Sequence, residues 1–257
     1  MNVEEFLYRI GESVDSGTRR IIESVKGFLH PSPSSEPPRF KYLRKLTKKP
    51  LTVHEFLSLK LQLTFLGYLS LNLALLFLRL NPLWLAGLAA IYFLYLRYTL
   101  TRNREFFIEF QPYRFFYYSI STISFGAFLG YDLLRRIATS VYYYYTYLTL
   151  VVVAILAFRW YFKAKYGRDY TYGVVEELRG GLARVSVHDD IAANVKPGYY
   201  WVDAVDDLEV GRVVKLLIED RKLRGAVPTR ILEVYLGGQS SQSSTEPKEE
   251  SESKSSR

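Results

Sequence analysis

The sequence predicts an α-helical membrane bundle of four transmembrane helices, with N-terminal amphipathic helices and a small C-terminal all-β barrel. Three observations carry this prediction: four long apolar segments, an uneven distribution of Lys and Arg around them, and a late change to short alternating strands. The 257 residues include 49% hydrophobic side chains and carry a formal charge of +8. A chain of this length and composition suffices for two modest domains, one of them in lipid.

Four apolar segments of about membrane length occupy the middle of the chain. They cover residues 61–78, 83–98, 117–134 and 142–162. Eighteen helical residues extend roughly 27 Å, close to the roughly 30 Å thickness of the hydrocarbon core, and a helix closes its backbone hydrogen bonds internally. Buried core helices of a soluble protein are the alternative. Four such segments in succession, apolar on nearly every face, favour membrane spans. Asn72, a polar residue inside the first segment, is expected to hydrogen-bond a neighbouring helix.

The distribution of Lys and Arg sets the expected orientation. Basic residues are frequent before the first span, between the second and third, and after the fourth, whereas the opposite side carries only Arg79, Arg135 and Arg136. Because Lys and Arg are enriched in cytoplasmic flanks, we expect a multi-pass protein of the cell membrane with both termini in the cytoplasm. The third segment is the least apolar. We count it as a span because otherwise the basic cluster after the fourth segment would be exported.

Aromatic residues gather at the expected membrane boundaries. Trp84, Tyr142 and Tyr143 fall at the outer boundary, and Trp160 and Tyr161 fall at the inner one. Tyr and Trp place an apolar ring in lipid and a polar tip at the headgroups, so we interpret these residues as membrane-interface anchors. A stacking platform for nucleic acid is the alternative, but bases would have to enter the bilayer to reach it.

Small residues recur on one face of the third span, at Ser119, Thr122, Gly126 and Gly130. Small side chains let two helix backbones approach closely, so we interpret this stripe as a helix-packing seam, with a pore-lining face as the alternative. Asp132 lies near the end of the same span. Arg135 and Arg136, one helical turn later, offer it an ion pair.

The regions outside the spans divide by composition. We expect amphipathic helices in 1–30, a Pro-rich linker with a basic juxtamembrane stretch in 31–51, the four spans in 52–166, a cytoplasmic β domain in 167–238, and a disordered tail in 239–257. The start of the chain is acidic, which is unlike a secretory signal. Thr52 and Glu55 have the spacing of a helix capping box.

The β domain is expected to contain five strands, at 170–178, 182–188, 199–205, 211–218 and 229–236. Five short strands in so few residues favour a closed barrel of the OB or SH3-like type, with an open sheet as the alternative. Acidic residues outnumber basic ones in this domain. We therefore expect no nucleic-acid partner, because such binding depends on neutralising phosphates.

Two resemblances to known families are carried by this domain. Tyr200-Trp201-Val202-Asp203-Ala204 and the segment 208–215 resemble the strand pattern of the soluble barrel in NfeD-like membrane proteins. That resemblance covers roughly 40 residues and implies a shared barrel. The whole arrangement, including the segment 187–198, resembles an uncharacterised family of archaeal multi-pass membrane proteins, which implies a membrane location.

Signatures of catalysis are missing from the sequence. No nucleophile elbow, phosphate-binding loop, dinucleotide fingerprint or zinc-protease motif is present, and there is no cysteine. His188-Asp189-Asp190 is the closest approach to a metal-ligand cluster, but it also fits an ordinary turn after a strand. We therefore predict a non-enzymatic protein with no catalytic, cofactor-binding or metal-binding residues.

Two functions are compatible with these features of the sequence. The first is a scaffold, adaptor or accessory subunit that presents the β-barrel to a protein partner. The second is a small transporter or channel component that acts as a homo-oligomer. An enzyme is a third alternative, for which the sequence shows no substrate pocket.

Overall fold

The computed structural model describes residues 26–38, 40, 52–206, 208–221 and 225–235. The chain separates into two compact units, Met1–Arg168 and Asp169–Arg257. Of the expected amphipathic helices, only the end is described, and residues 26–29 are helical there. The basic stretch 41–51 and the tail 239–257 lie outside the described residues. In the expected linker, residues 31–38 form neither helix nor strand.

The first unit contains four long helices: α1 (Val53–Phe77), α2 (Pro82–Arg102), α3 (Phe110–Ile137) and α4 (Val141–Tyr166). A 3₁₀ turn, Arg104–Phe106, precedes α3. Three of the described helices, α1, α2 and α4, are long and apolar enough to cross a membrane. The least apolar expected span lies in α3, which has 28 residues and carries the Ser, Thr and charged side chains that lower its hydropathy.

Side-chain caps fix where three of these helices begin. The capping box predicted at Thr52 is confirmed: Thr52 N donates to Glu55 Oε2 at 2.8 Å, and Glu55 N donates to Thr52 Oγ1 at 3.4 Å. Asn81 Oδ1 accepts from the N–H of Leu83 at the start of α2, and Ser140 Oγ accepts from the N–H of Tyr142 at the start of α4. Each cap satisfies an N–H that would otherwise have no partner in the helix.

Contacts near one end of the unit show that successive helices run in opposite directions. The ring of Tyr95, in the second half of α2, faces Lys60 Nζ near the start of α1. Near its own start, α3 meets the start of α1 through Tyr113 and His54. Phe162, near the end of α4, packs on Phe115, near the start of α3. The starts of α1 and α3 and the ends of α2 and α4 therefore lie at the same end of the unit.

The outer surface of these helices is apolar. Large exposed hydrophobic side chains occur along α1, α2 and α4, among them Leu66, Ile91, Leu150 and Val153. A water-soluble helix would turn such residues toward a protein core. Lipid is the solvent for which this arrangement is favourable.

The second unit is a five-stranded barrel of mixed strand direction. Its strands are β1 (Tyr170–Arg179), β2 (Leu182–Val187), β3 (Gly198–Asp203), β4 (Val213–Arg221) and β5 (Gly225–Tyr235). The barrel is closed in the order β1-β2-β3-β5-β4, with β3 and β5 parallel and the other pairs antiparallel. The prediction of a closed barrel is thus confirmed. Val175, Val185, Val202, Val214 and Leu216 belong to its buried core.

The start of β5 was predicted four residues too late. The strand begins at Gly225 and contains Pro228, which lacks the N–H that a central strand needs. Pro228 lies opposite Ile218, where the register between β4 and β5 shifts. The irregular ladder accommodates the proline, so the strand continues through it.

Candidate functional site

A cavity of about 940 Å³ lies between α1, α3 and α4. It is lined by residues from the end of α1, the second half of α3 and the first half of α4: Leu73, Leu76, Phe77, Arg79, Ala127, Phe128, Tyr131, Arg135, Arg136, Tyr144, Tyr147, Leu148 and Val151. The lining thus combines aliphatic and aromatic side chains with three arginines. The volume is at the upper end of the range for small-molecule sites.

An ion-pair cluster stands beside this cavity. Asp132 is 1% exposed and pairs with both arginines that follow it on α3. Its Oδ1 contacts Arg135, and its Oδ2 accepts from Arg136 Nε at 3.2 Å and from the terminal nitrogen of Arg136 at 3.1 Å. The predicted pairing is confirmed. One buried carboxylate therefore orients two guanidinium groups in the cavity wall.

The end of α1 completes the wall through one backbone carbonyl. The Leu76 oxygen accepts from Arg135 at 2.9 Å and from the N–H of Arg79 at 3.1 Å. The N–H of Leu80 reaches back to the Leu75 oxygen at 3.4 Å. These two backbone bonds form a Schellman motif with Arg79 in the left-handed region at φ 52°. The helix cap and the arginine of α3 are thus held together.

Tyrosines form the side of the cavity contributed by α3 and α4. The Tyr147 hydroxyl donates to the Ala127 oxygen, and the ring of Tyr131 lies 6.0 Å from that of Tyr144. A Cβ built on Gly130 would meet the Tyr147 ring at 3.1 Å. Glycine at position 130 therefore allows α4 to place its tyrosine close to α3.

The other members of the expected packing stripe lie elsewhere. Thr122 and Gly126 are exposed and Ser119 is half-buried. A Cβ on Gly126 would have no atom within 4 Å, and the Thr122 hydroxyl donates to the Tyr118 oxygen of its own helix. Among the described residues, Gly130 therefore has a close neighbour on another helix, whereas Gly126 has none. Packing through Gly126 stays a prediction.

A polar group is buried midway along α1, α2 and α3. The rings of Tyr68 and Tyr92 stack at 4.2 Å, and Ser121 donates to the Tyr92 hydroxyl at 3.5 Å. The expectation that Asn72 bonds a neighbouring helix was wrong, because its Nδ2 donates to the Tyr68 oxygen of its own helix at 2.8 Å. The Tyr68 hydroxyl and Asn72 Oδ1 have no hydrogen-bond partner among the described residues.

The five aromatic residues interpreted as interface anchors all lie at helix ends. Trp84 is in the first turn of α2, Tyr142 and Tyr143 are in the first turn of α4, and Trp160 and Tyr161 are in its last two turns. All five are exposed. Their contact with lipid headgroups stays a prediction.

The histidines that the structure describes do not form a metal centre. No group of three or more His, Cys, Asp or Glu that could hold a metal ion occurs in the described ranges. His54 packs between aromatic rings at the start of α1, with its Nε2 3.3 Å from the Tyr113 hydroxyl oxygen. Asp190 closes a loop by accepting from the N–H groups of Ala192 and Ala193 and from the Thr171 hydroxyl.

An aromatic–arginine cluster lies on the outer side of β2 and β3. Tyr199 is 53% exposed and Trp201 is 47% exposed, and the register places Trp201 opposite Arg184. The guanidinium of Arg184 lies over the Tyr199 ring at 5.4 Å and pairs with Glu177 at 2.9 Å. We call Arg184, Tyr199 and Trp201 the β2–β3 face.

A second aromatic cluster lies on the other three strands, β1, β4 and β5. Lys215 Nζ pairs with Glu233 at 3.0 Å and lies 4.7 Å from the centre of the Tyr170 ring. This hydrogen-bonded pair raises the pKa of Lys215 and lowers the pKa of Glu233. The Tyr235 hydroxyl donates to Glu233 at 2.9 Å. All the charged groups named here are paired, so this cluster is electrically balanced.

The sequence did not single out the cavity. Asp132 and its arginines were recognised as a local pair, but Arg79 and Tyr147 come from other helices, and only the packing of α1 and α4 on α3 brings them there. The positive φ of Arg79 could not be predicted either, because nothing in the sequence marks a non-glycine residue that adopts this conformation.

The comparison with protein families gives a match over most of the chain. A family model described as "Predicted membrane protein (DUF2101)" matches residues 25–232. Neither a curated protein nor a solved structure matches the chain. Because the family match covers more than half of the chain, the protein belongs to the DUF2101 family of predicted membrane proteins.

Proposed function

We propose that this is a four-span protein of the cell membrane, with both termini in the cytoplasm, whose β-barrel docks a protein partner. The role is that of a scaffold, adaptor or accessory subunit and needs no catalytic group or cofactor. The observation that carries the proposal is the β2–β3 face, where an exposed Trp, Tyr and Arg stand together on a barrel with a filled core.

The direction of the helices supports four spans. The short connection after α1 places the start of α2 at the end of the unit where α4 also begins, and α2 ends at the opposite end. If α2 and α4 both cross the membrane, α3 must cross it between them. As the central helix, α3 contacts α1, α2 and α4, so its polar side chains have protein neighbours and its lower hydropathy is compatible with a span.

The construction of the barrel supports docking on its outer surface. Packed side chains such as Val185, Val214 and Leu216 occupy its interior, so a partner would bind outside. The strand order β1-β2-β3-β5-β4 is that of a Greek-key barrel of the OB type, in which the face of strands 2 and 3 is the usual binding surface, for oligonucleotides and oligosaccharides. Trp, Tyr and Arg are the residues that most often dominate protein interfaces. The acidic balance of the domain favours a protein over a nucleic acid.

A matched pair of barrel variants tests this proposal. We expect Trp201→Ala to reduce recovery of the partner by at least about tenfold, because a central Trp contributes about 2 kcal/mol or more to an interface. Tyr172→Ala removes an aromatic ring of similar exposure from the other side of the barrel and should leave recovery unchanged. The measurement is quantitative mass spectrometry of proteins crosslinked to the tagged full chain in its native membrane.

The outcome depends on comparing variants of equal stability. Both variants should unfold at the temperature of the wild type, since both side chains point outward. Two results would contradict docking through the β2–β3 face. One is an equal loss of the crosslinked partner in both variants, and the other is recovery of the same proteins at the same level from the wild type and both variants.

A transporter or channel component is the second candidate function. One observation favours it: the Tyr68 hydroxyl and Asn72 Oδ1 are buried without partners in the described chain, and an unpaired polar group in the bilayer is costly unless a solute, water or another helix meets it. Flux of small ions or solutes through vesicles containing the wild type, lost in Asn72→Leu, would favour this candidate. Absence of flux in the wild type would eliminate it.

A further inference from the structure

The cavity between α1, α3 and α4 has two chemically different walls. Leu73, Phe77, Leu148 and Val151 supply aliphatic and aromatic surface. Arg79, Arg135 and Arg136 supply guanidinium groups. A ligand that matches both walls must carry an anionic group and an apolar portion in one molecule.

The charges around the cavity do not balance. Of the three arginines that line it, Arg135 and Arg136 pair with the carboxylate of Asp132. Arg79 makes no ion pair with any described residue. The cluster therefore has three guanidinium groups for one carboxylate, which leaves an excess of positive charge at this end of the helical unit. An anion in the cavity would balance that excess.

The backbone at Arg79 gives a second, independent observation. Its φ of 52° places an arginine at the C′ position of a Schellman motif, where glycine is the usual residue. A side chain in the left-handed region costs roughly 1–2 kcal/mol relative to glycine. Glycine would adopt this backbone conformation at lower cost, so the arginine at this position is not explained by the backbone of the cap. Arg79 is one of the residues that line the cavity.

We propose that this cavity binds an anionic phospholipid. The phosphate is held by Arg79 together with the two arginines oriented by Asp132, since guanidinium groups bind phosphate through paired hydrogen bonds. One acyl chain lies along Leu73, Phe77 and Leu148. The site goes beyond the docking function, because it lies in the helical unit and uses no residue of the barrel.

Arginine variants that preserve the fold test this site. The probes are phosphatidylglycerol, phosphatidylcholine and inorganic phosphate, each added to the purified full chain in detergent. The measurements are the thermal unfolding midpoint and the lipid retained in native mass spectrometry. Wild-type protein should be stabilised by phosphatidylglycerol and retain it in preference to phosphatidylcholine. Arg79→Gly should weaken this retention by about tenfold or more, because one charge-assisted contact is lost.

A matched control separates the site from a general effect of charge. Arg97→Ala removes an exposed arginine of α2 that does not line the cavity, so retention should equal that of the wild type. Arg79→Gly should unfold, without lipid, at or above the wild-type temperature, which excludes misfolding as the cause. Equal retention of the two lipids, unchanged retention in Arg79→Gly, or equal stabilisation by inorganic phosphate alone would overturn the proposal.

Discussion

Asp132→Asn is expected to lower the free energy of unfolding of the helical unit by about 3–5 kcal/mol. The carboxylate is 1% exposed and Arg135 is 19% exposed, so the substitution leaves a largely buried guanidinium without its counter-charge. Breaking a buried pair costs more than the pair itself contributes, because the remaining charge is still desolvated. The measurement is unfolding of the purified protein in mixed micelles with increasing sodium dodecyl sulfate.

A control and a rescue make this result specific. Glu105→Gln neutralises an exposed carboxylate in the turn before α3 and should change stability by less than about 0.5 kcal/mol. In Asp132→Leu/Arg135→Leu both charges are removed, so we expect recovery of a large part of the lost stability. A loss in the double variant as large as in Asp132→Asn would mean that the ion pair is not what holds α3 at the cavity.

Gly173→Ala is expected to destabilise the barrel by at least about 1–3 kcal/mol. Gly173 pairs with Val187 of β2 and with Val214 of β4, so it lies between two neighbouring strands. A Cβ would lie 2.4 Å from Val185 Cγ1 and 2.9 Å from the Ser186 oxygen. The clash with the backbone oxygen cannot be relieved by a rotamer change, so the strands must separate.

Gly198→Ala is the matched control in the same barrel. Its new Cβ would meet Tyr200 at 3.8 Å, an ordinary contact, so we expect a change of less than about 1 kcal/mol. Thermal unfolding of the full chain can be followed by Trp201 fluorescence after Trp84 and Trp160 are replaced by Phe. Similar unfolding temperatures for the two alanine variants would contradict the close approach of β2 to β1 at Gly173.

The elements of the fold were largely readable from sequence because their signals are local. The cap at Thr52 needs a partner only three residues away, and apolar runs and alternating strands are visible within short windows. The start of β5 was missed because Pro228 normally excludes a central strand. The register shift that accommodates it depends on β4, a different part of the chain.

The cavity was less accessible to such reasoning. Asp132 and Arg135 are close in sequence, so their ion pair was predicted from helical spacing. Arg135 also donates a hydrogen bond to the Leu76 oxygen, which is 59 residues away in the chain. The position of that oxygen depends on how α1 packs against α3. The prediction for Asn72 was wrong for a related reason. The carbonyl one turn earlier on its own helix is always within reach of the side chain, whereas a hydrogen-bond partner on another helix must be placed by packing.

The most direct test of the central claim is the accessibility of single introduced cysteines to a labelling reagent. The chain contains no cysteine of its own, so any label reports the introduced position. A membrane-impermeant maleimide is applied to intact cells before and after permeabilisation. We predict that cysteines at Asn81 and Thr139 react from outside, whereas cysteines at Glu105 and Val210 react only after permeabilisation. Labelling of Val210 in intact cells, or the same accessibility for Glu105 and Asn81, would contradict four spans with a cytoplasmic barrel.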